Sequence, residues 1–440
     1  MQTMQTTRFE SVLLGEHYDR VLHRSGLTVY LFPKKLTTTY AILSAAYGAM
    51  DASFRTPDGR IVTMPDGVAH FLEHKLFENP DGSDSFARFS AYGADANAYT
   101  TANRTAYLFS CTAQPERALE ELLTFVTTPY FTPETVQKER GIIAEEIRMY
   151  DDSPWDRCYQ RLMEAMYEHC GIRNSICGTE RSIGEITDRM LYECYQLFYQ
   201  LSNMVLVVCG DIDPQAVLAV CDRCLPEQAA PASPIVRVCQ AEPANVRLAQ
   251  TAVQMQVAKP IFTLGFKDAE VPADAEARAR RYAAMELLDE AVFSRSGALY
   301  SALFEEGLLT ASYSYGYSNT DRCGFHTVSG EGDDPYAIER RIVAYLETLA
   351  REGIPAEEVE RARRVLYADE LQSYDSTEEI ANELLSYVMD GTEPFRQPEL
   401  IASVTAEELN ALLPTLLREG CRCLSVVKPF GTDKEPLREV

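Results

Sequence analysis

Of the six histidines in the chain, two fall in the stretch VAHFLEHKLFE, Val68 to Glu78, four positions apart and with a glutamate directly before the second. On a helix, positions i and i+4 share a face and i+3 lies on the same side, so His70, Glu73 and His74 would point one way. Two imidazoles one turn apart can both reach a tetrahedral zinc ion. A carboxylate between them can hold the water that fills an open coordination position. The order H-x-x-E-H is the reverse of the commoner H-E-x-x-H helix. A pair of histidines packed into a core without any metal is the competing account of the same residues. Zinc at such a site needs a third protein ligand, which this stretch does not contain.

A long helical segment, TPETVQKERGIIAEEIRMYDDS, offers candidates from Pro133 onward. At about 100° per residue, Val136, Ile142, Ile143, Ile147 and Met149 define an apolar face, and Gln137, Lys138, Glu145 and Arg148 the opposite one. Glu139 and Glu146, seven residues apart, fall on the apolar face. A carboxylate turned toward a core must be paired, because burying its charge alone is strongly unfavourable. A metal ion would meet that need, so Glu146 is the expected third ligand and Glu139 the expected hydrogen-bond partner of a ligand. The alternative is an ordinary buried ion pair with Arg104 or Arg140. With His70, His74 and Glu146 holding one Zn²⁺ per chain, Glu73 is the expected catalytic acid and base, taking a proton from water and passing it to a leaving amine.

The elements that must position these residues can be read around them. Asp66 is a plausible N-cap for the histidine helix. After it comes YGADANAYTTANRTAYLFS, where Ala94, Ala96 and Ala98 allow another backbone to approach, and Tyr107 and Phe109 alternate as in a half-buried strand. An open strand edge here could bind an extended peptide through main-chain hydrogen bonds. A loop followed by an interior strand is the alternative. The helical period of PERALEELLTFVTTPYF follows, then the long segment from Pro133.

The same order of elements recurs. CGFHTVSGEG, PYAIERRIVAYLETLAREG and IPAEEVERARRVLYADELQSYDS repeat the strand, helix and long helix of the first half. Aligning the two Tyr-Asp ends gives an offset of 224 residues and places Glu370 opposite Glu146; aligning the two LFE triplets gives 227. His70, Glu73 and His74 then face Gly297, Tyr300 and Ser301, so the second copy keeps the pattern without the special residues. Between the copies, LPEQAAPASPIVRVCQAEPANVRLAQ is rich in Pro and Ala and lacks a helical period. The expected organisation is a metal-binding domain over residues 1–228, a linker over 229–248, and a repeat domain without metal ligands over 249–440.

A length of 440 residues suits two cores, and a 46% hydrophobic, 10% aromatic composition is globular. With 41 basic and 66 acidic side chains the net charge is −25, which argues against nucleic acid or an anionic membrane as partner. Basic peptides would be attracted, or the charge serves solubility alone. No apolar run has the length of a signal peptide or a membrane span, so a cytoplasmic location is expected, with the twelve cysteines mostly buried as reduced thiols. The one C-x-x-C, Cys221 and Cys224, has no second pair at zinc-ribbon spacing and reads as incidental.

Taken together, HFLEH, ANAYT with the following RTAYLF, and ERGIIAEE resemble the pitrilysin/insulinase family of inverted-motif zinc peptidases, which includes the mitochondrial processing peptidases. The 71 residues between His74 and Glu146 agree with that family's interval. The nearest likeness is to half-length bacterial members. The resemblance implies an α+β fold of two structurally repeated domains, each a mostly antiparallel sheet covered by helices. It also implies a zinc-dependent endopeptidase acting on peptides or unfolded segments inside a clamshell, with a homologous second subunit as hetero- or homodimer partner. Asn97 and Ala98 would contact the substrate. One departure stands out. Where active members carry an Arg and a Tyr that bind the substrate carbonyl, SALFEEGLLTASYSYGY has Leu303 or Phe304 and Thr310, with Tyr313 or Tyr315 as possible replacements. The partner is therefore expected to supply the carbonyl-binding half. A non-catalytic scaffold or assembly subunit of the same fold, and a different metal-dependent hydrolase, are the other readings.

Overall fold

The alternation of RTAYLFSC becomes the strand Thr105–Cys111, and the helical periods behind it become helices Pro115–Thr127 and Pro133–Asp152. The computed structural model describes residues 5–227 and 233–431. The start of the expected linker, 229–232, and the outer ends of both expected domains lie outside the described residues.

The chain forms two compact units, one built from residues up to Ile147 with Ser175–Cys239 and Leu371–Met389, the other from Arg148–Asn174, Gln240–Glu370 and residues from Asp390 onward. The first unit holds a seven-stranded sheet in the order Gln5–Ser11, Glu16–Leu22, Thr28–Pro33, Met204–Gly210, Thr39–Ala45, Thr105–Cys111, Ala94–Thr100. Its neighbours are antiparallel except Thr28–Pro33 with Met204–Gly210. The second unit holds five strands in the order Gln250–Met255, Arg422–Pro429, Ile261–Asp268, Gly324–Glu331, Tyr313–Asn319. Again one pair is parallel, Gln250–Met255 with Arg422–Pro429. Without its first two strands the larger sheet has the same order as the smaller, parallel pair included. The repeat read from sequence is thus a repeat of topology, and the class is α+β with mostly antiparallel sheets.

Strands Thr39–Ala45 and Ile261–Asp268 are buried at every position, which requires cover on both sheet faces. Part of that cover comes from the other half of the sequence. Helix Thr377–Met389 packs on Met204–Gly210 and Thr39–Ala45 in the first unit, and helix Pro154–Met166 packs on the three adjoining strands Arg422–Pro429, Ile261–Asp268 and Gln250–Met255 in the second. The packing is close: a Cβ on Gly265 would lie 2.4 Å from the Met166 sulfur. Asn382 of the first exchanged helix bonds the Tyr40 and Tyr99 hydroxyls at 3.1 and 3.2 Å. The compact units therefore cut across the expected division at 229–248. Nothing in a local apolar period tells a helix which of two similar sheets it will cover.

Two finer expectations are corrected. Within the expected linker, Val236–Arg237 is a short strand paired with Ser53–Arg55, and Arg237 Nε donates to Asp51 Oδ1 at 2.8 Å. In the long helix, Val136, Glu139, Ile143 and Ile147 are buried, but Ile142 and Met149 are 50% and 60% exposed. The buried stripe is narrower than the apolar lettering suggested, one residue wide per turn. Among the described residues no helix is long and apolar enough to cross a membrane. Of the twelve cysteines only Cys239 is exposed.

A charged cluster anchors the second sheet. Arg281 donates twice to Asp268, both at 2.8 Å, and the Tyr317 hydroxyl donates to it at 2.7 Å. Burial pushes the Asp268 carboxyl up, but Arg281 and then Tyr317 outweigh it and hold it below its ordinary 3.8. A depressed carboxyl contributes stability above its unfolded pKa and loses it as pH falls through the folded one. Asp268→Asn is expected to cost about 3 kcal/mol at neutral pH, since it leaves a mostly buried guanidinium with only the exposed Glu270, 3.8 Å away, as its acidic neighbour. Urea titrations stepped from pH 7 to pH 3 should show that cost constant down to about pH 4 and shrinking below it. A cost that stays the same across the range would contradict the assignment.

Candidate metal centre

The histidine helix spans Val68–Leu76, with Val68, Ala69, Phe71, Leu72 and Leu76 buried in the core of the first unit. Its N-cap is Gly67 at φ +89° and not the expected Asp66, whose carbonyl accepts from Ser182 Oγ at 2.8 Å. The reason is steric. A Cβ on Gly67 would lie 2.5 Å from the Cys177 carbonyl oxygen, and one on Gly178, at φ +75°, would lie 2.4 Å from the Asp66 carbonyl oxygen. Two glycines in left-handed conformation let these backbones touch, so the segment at Cys177 is locked against the start of the helix.

Helix spacing puts His70, Glu73 and His74 on one side, and the long helix brings Glu146 and Glu139 to meet them. His70 Nε2 lies 3.5 Å from Glu146 Oε1, and His74 Nε2 lies 3.3 Å from Glu146 Oε2. His74 Nδ1 lies 3.0 Å from Glu139 Oε1. An ionised carboxylate only accepts, so Nδ1 carries the hydrogen and Nε2 of the neutral ring presents its lone pair toward Glu146. Lone pairs and a carboxylate facing one another need a proton or a cation between them. Burial pulls the His74 pKa down, but hydrogen bonds to Glu139 and Glu146 outweigh it and carry it up to about 9. His70, then His74, hold the Glu146 carboxyl far below the usual carboxylate range. The ion-pair alternative is not what the structure contains, since Arg104 bonds Asn103 and Ser386 while Arg140 bonds Gln137 and the Ile186 carbonyl.

These residues fit zinc. Bonds of about 2.0 to 2.1 Å to N and O at tetrahedral angles imply donor-to-donor separations of about 3.3 Å. Each histidine Nε2 lies at about that distance from one oxygen of Glu146, 3.5 Å for His70 with Oε1 and 3.3 Å for His74 with Oε2, and Glu139 bonds the far nitrogen of His74 as a partner behind a ligand should. His70 is 6% exposed and its Nδ1 has no hydrogen-bond partner.

Glu73 is also buried, at 7% exposure, and its Oε2 accepts from Thr100 Oγ1 at 2.5 Å. Burial raises the Glu73 carboxyl above its ordinary value, against the pull of His70 and of the Thr100 hydroxyl. Thr100 was not singled out in the sequence. It ends the strand Ala94–Thr100, so one hydroxyl ties Glu73 to that strand. The strand is an edge of its sheet and not a loop, with Asn97 exposed and Ala98 half-buried. The Ala98 amide donates to Asn97 Oδ1 at 2.9 Å.

In the second unit, the Tyr313 hydroxyl donates to the Phe293 carbonyl at 2.8 Å, and the Tyr315 hydroxyl donates to Glu290 at 2.5 Å, itself held by Arg361 at 2.7 Å. Both hydroxyls already have acceptors. Leu303 is buried, Phe304 is half exposed, and Thr310 Oγ1 approaches Glu331 at 3.4 Å.

Sequence reasoning also missed Cys177. Its sulfur lies 3.9 Å from His70 Nε2 and 4.0 Å from Glu146 Oε1, and the ligand atoms of His70, Glu146 and Cys177 all lie within 4.8 Å of one another. Burial, then Glu146 and Glu73, push its thiol up to about 12. The available signal was Gly178 directly after it, beside a glycine before the histidine helix.

Residues 63–180 match the family described as Insulinase (Peptidase family M16), and residues 185–366 match Peptidase M16 inactive domain. The uncharacterized zinc protease YmfH of Bacillus subtilis (strain 168) is 38% identical over 393 residues, 88% of this chain and 91% of the relative. The crystal structure of an M16-like peptidase from Alicyclobacillus acidocaldarius superposes with a TM-score of 0.89 at 33% identity, covering 98% of this chain and 99% of the other. The periplasmic protease PqqL of Escherichia coli shares the fold at a TM-score of 0.71 and 18% identity, over 98% of this chain but 48% of the other.

Removing the support behind a metal ligand typically weakens metal binding about 10- to 100-fold. Glu139→Ala is expected to lower zinc affinity by that factor in a chelator competition, with the circular dichroism spectrum unchanged. Undiminished affinity in the folded variant would show that Glu139 does not serve His74.

Proposed function

The chain belongs to the insulinase peptidase family, M16, and we propose that it is a zinc endopeptidase subunit cutting extended or unfolded peptide segments. The observation that carries this reading is the meeting of His70, His74 and Glu146 with Glu73 buried alongside. The names of its relatives, zinc proteases, agree with it.

Zinc held by His70, His74 and Glu146 would polarise the scissile carbonyl and bring the pKa of water close to neutrality. The other tasks fall to the chain itself. Glu139 fixes which His74 nitrogen is offered. Glu73 takes up the proton that the attacking water loses and delivers it to the departing amine, a role suited to a carboxyl whose burial makes it a better base. Thr100 holds the Glu73 carboxylate in one orientation through Oγ1. A peptide adds to the open edge of Ala94–Thr100, where the alanines leave room for a second backbone and the Ala98 amide exchanges its bond to Asn97 for one to substrate. Main-chain recognition of this kind asks little of the peptide's sequence.

The substrate carbonyl needs a further donor, which we assign to a homologous second subunit, of the same or a related chain. Two observations support that assignment: Tyr313 and Tyr315 are engaged within their own unit, and PqqL has about twice the length of this fold. The scaffold reading draws on the match of residues 185–366 to an inactive domain, but the full ligand set in the first unit favours catalysis.

Glu73→Gln is expected to retain zinc and lose about 100- to 10,000-fold in hydrolysis of an unfolded peptide, measured with and without the partner. Full activity in the zinc-loaded variant would overturn the role of Glu73. Wild type that binds zinc yet cleaves nothing with its partner present would favour the scaffold.

A further inference from the structure

The reading above leaves one chemically capable side chain at the centre unused. Cys177 is buried, and its neighbours in space are not carbon alone: the sulfur faces a histidine nitrogen and a carboxylate oxygen that are both expected to hold the metal. For a thiolate on the same tetrahedral ion, with a zinc–sulfur bond of about 2.3 Å, the sulfur would stand about 3.5 Å from those two atoms. The observed 3.9 and 4.0 Å exceed that by an amount that rotation about one side-chain bond can close. Nor can the backbone easily withdraw, because Gly67 and Gly178 interlock the segment at Cys177 with the first turn of the histidine helix.

We propose that Cys177 is a displaceable ligand of the metal held by His70, His74 and Glu146, its sulfur filling in the resting chain the position that water must occupy for hydrolysis. This deepens the zinc reading and rests on it. Four protein ligands make a closed centre of the structural kind, whereas three with an open position make a catalytic one. Binding of the sulfur breaks the S–H bond, forms the metal–sulfur bond with the sulfur electron pair, and releases the proton to solvent, with no change of oxidation state. The chain would thus carry its own block, tight in metal and idle until a peptide or the partner subunit displaces the sulfur. A cysteine packed merely as a small apolar side chain predicts none of this.

The test is to load the full-length chain with Co²⁺, whose visible bands report ligand geometry and whose near-ultraviolet charge-transfer band reports a thiolate ligand. Wild type is expected to show both, and Cys177→Ser, which preserves volume, and Cys177→Ala are expected to keep the visible bands and lose the ultraviolet one. In the zinc form, both variants should cleave peptide faster than wild type under identical conditions. Cobalt spectra without a thiolate band in wild type, or with the same band in the variants, would overturn the proposal while leaving the zinc centre standing. Absence of any cobalt bands in all three proteins would instead remove the zinc reading and this inference with it. Loss of the ultraviolet band without faster cleavage would refute the self-blocking role.

Discussion

Groups that present lone pairs or negative charge to one another do not stay together unless something positive stands among them. One imidazole nitrogen stands 3.5 Å from one oxygen of a half-buried carboxylate and a second stands 3.3 Å from the other oxygen, and much of the first unit can be understood as the means of enforcing that approach. Glu139 turns His74 so that its basic nitrogen faces inward, and the apolar residues of the histidine helix tie its other face to the core. The same two carboxylates carry the His74 pKa up to about 9, so a proton would answer the need there. Under the proposed function, zinc would take that same place. What the fold has built is a set of like-tempered groups whose mutual repulsion a small cation would resolve.

How much of this could be read in advance depends on whether a contact is announced by local spacing. His70, Glu73 and His74 are legible because i, i+3 and i+4 force a shared face. Glu139 and Glu146 are legible because a seven-residue step returns to the same side of a helix, and charge on that side demands a partner. The same helical lettering misplaced Ile142 and Met149, which lie beside the buried stripe and not in it; an apolar residue can sit at a stripe's border without cost, while a lone carboxylate cannot. The Asp66 cap failed for a different reason. Side-chain capping preferences assume open space before the helix, whereas here a second backbone lies against it, and only Gly67 allows that approach.

Thr100 and Cys177 were invisible for a third reason. Each is one of many residues of its kind, separated in sequence from what it touches, and neither carries a periodic signal. Thr100 is found only once the strand Ala94–Thr100 is seen to end beside Glu73. Cys177 is found only once two glycines 111 residues apart are seen to interlock. The topological repeat was legible because alternating and helical periods recur in the same order, but the assignment of helices to sheets was not. Apolar periodicity records that a face is covered; it does not record by which segment of the chain.

That exchange of helices bears on how the protein comes off the ribosome. The central strands of the first sheet, Thr39–Ala45 and Met204–Gly210, exist once residue 210 has been made, yet the helix that covers them, Thr377–Met389, is synthesised about 170 residues later. At elongation rates of about 5 to 20 residues per second, the nascent sheet waits roughly ten to forty seconds with that apolar face bare. Vectorial, domain-by-domain folding is therefore closed to this chain. The first sheet gains that part of its cover only when the second half is nearly complete.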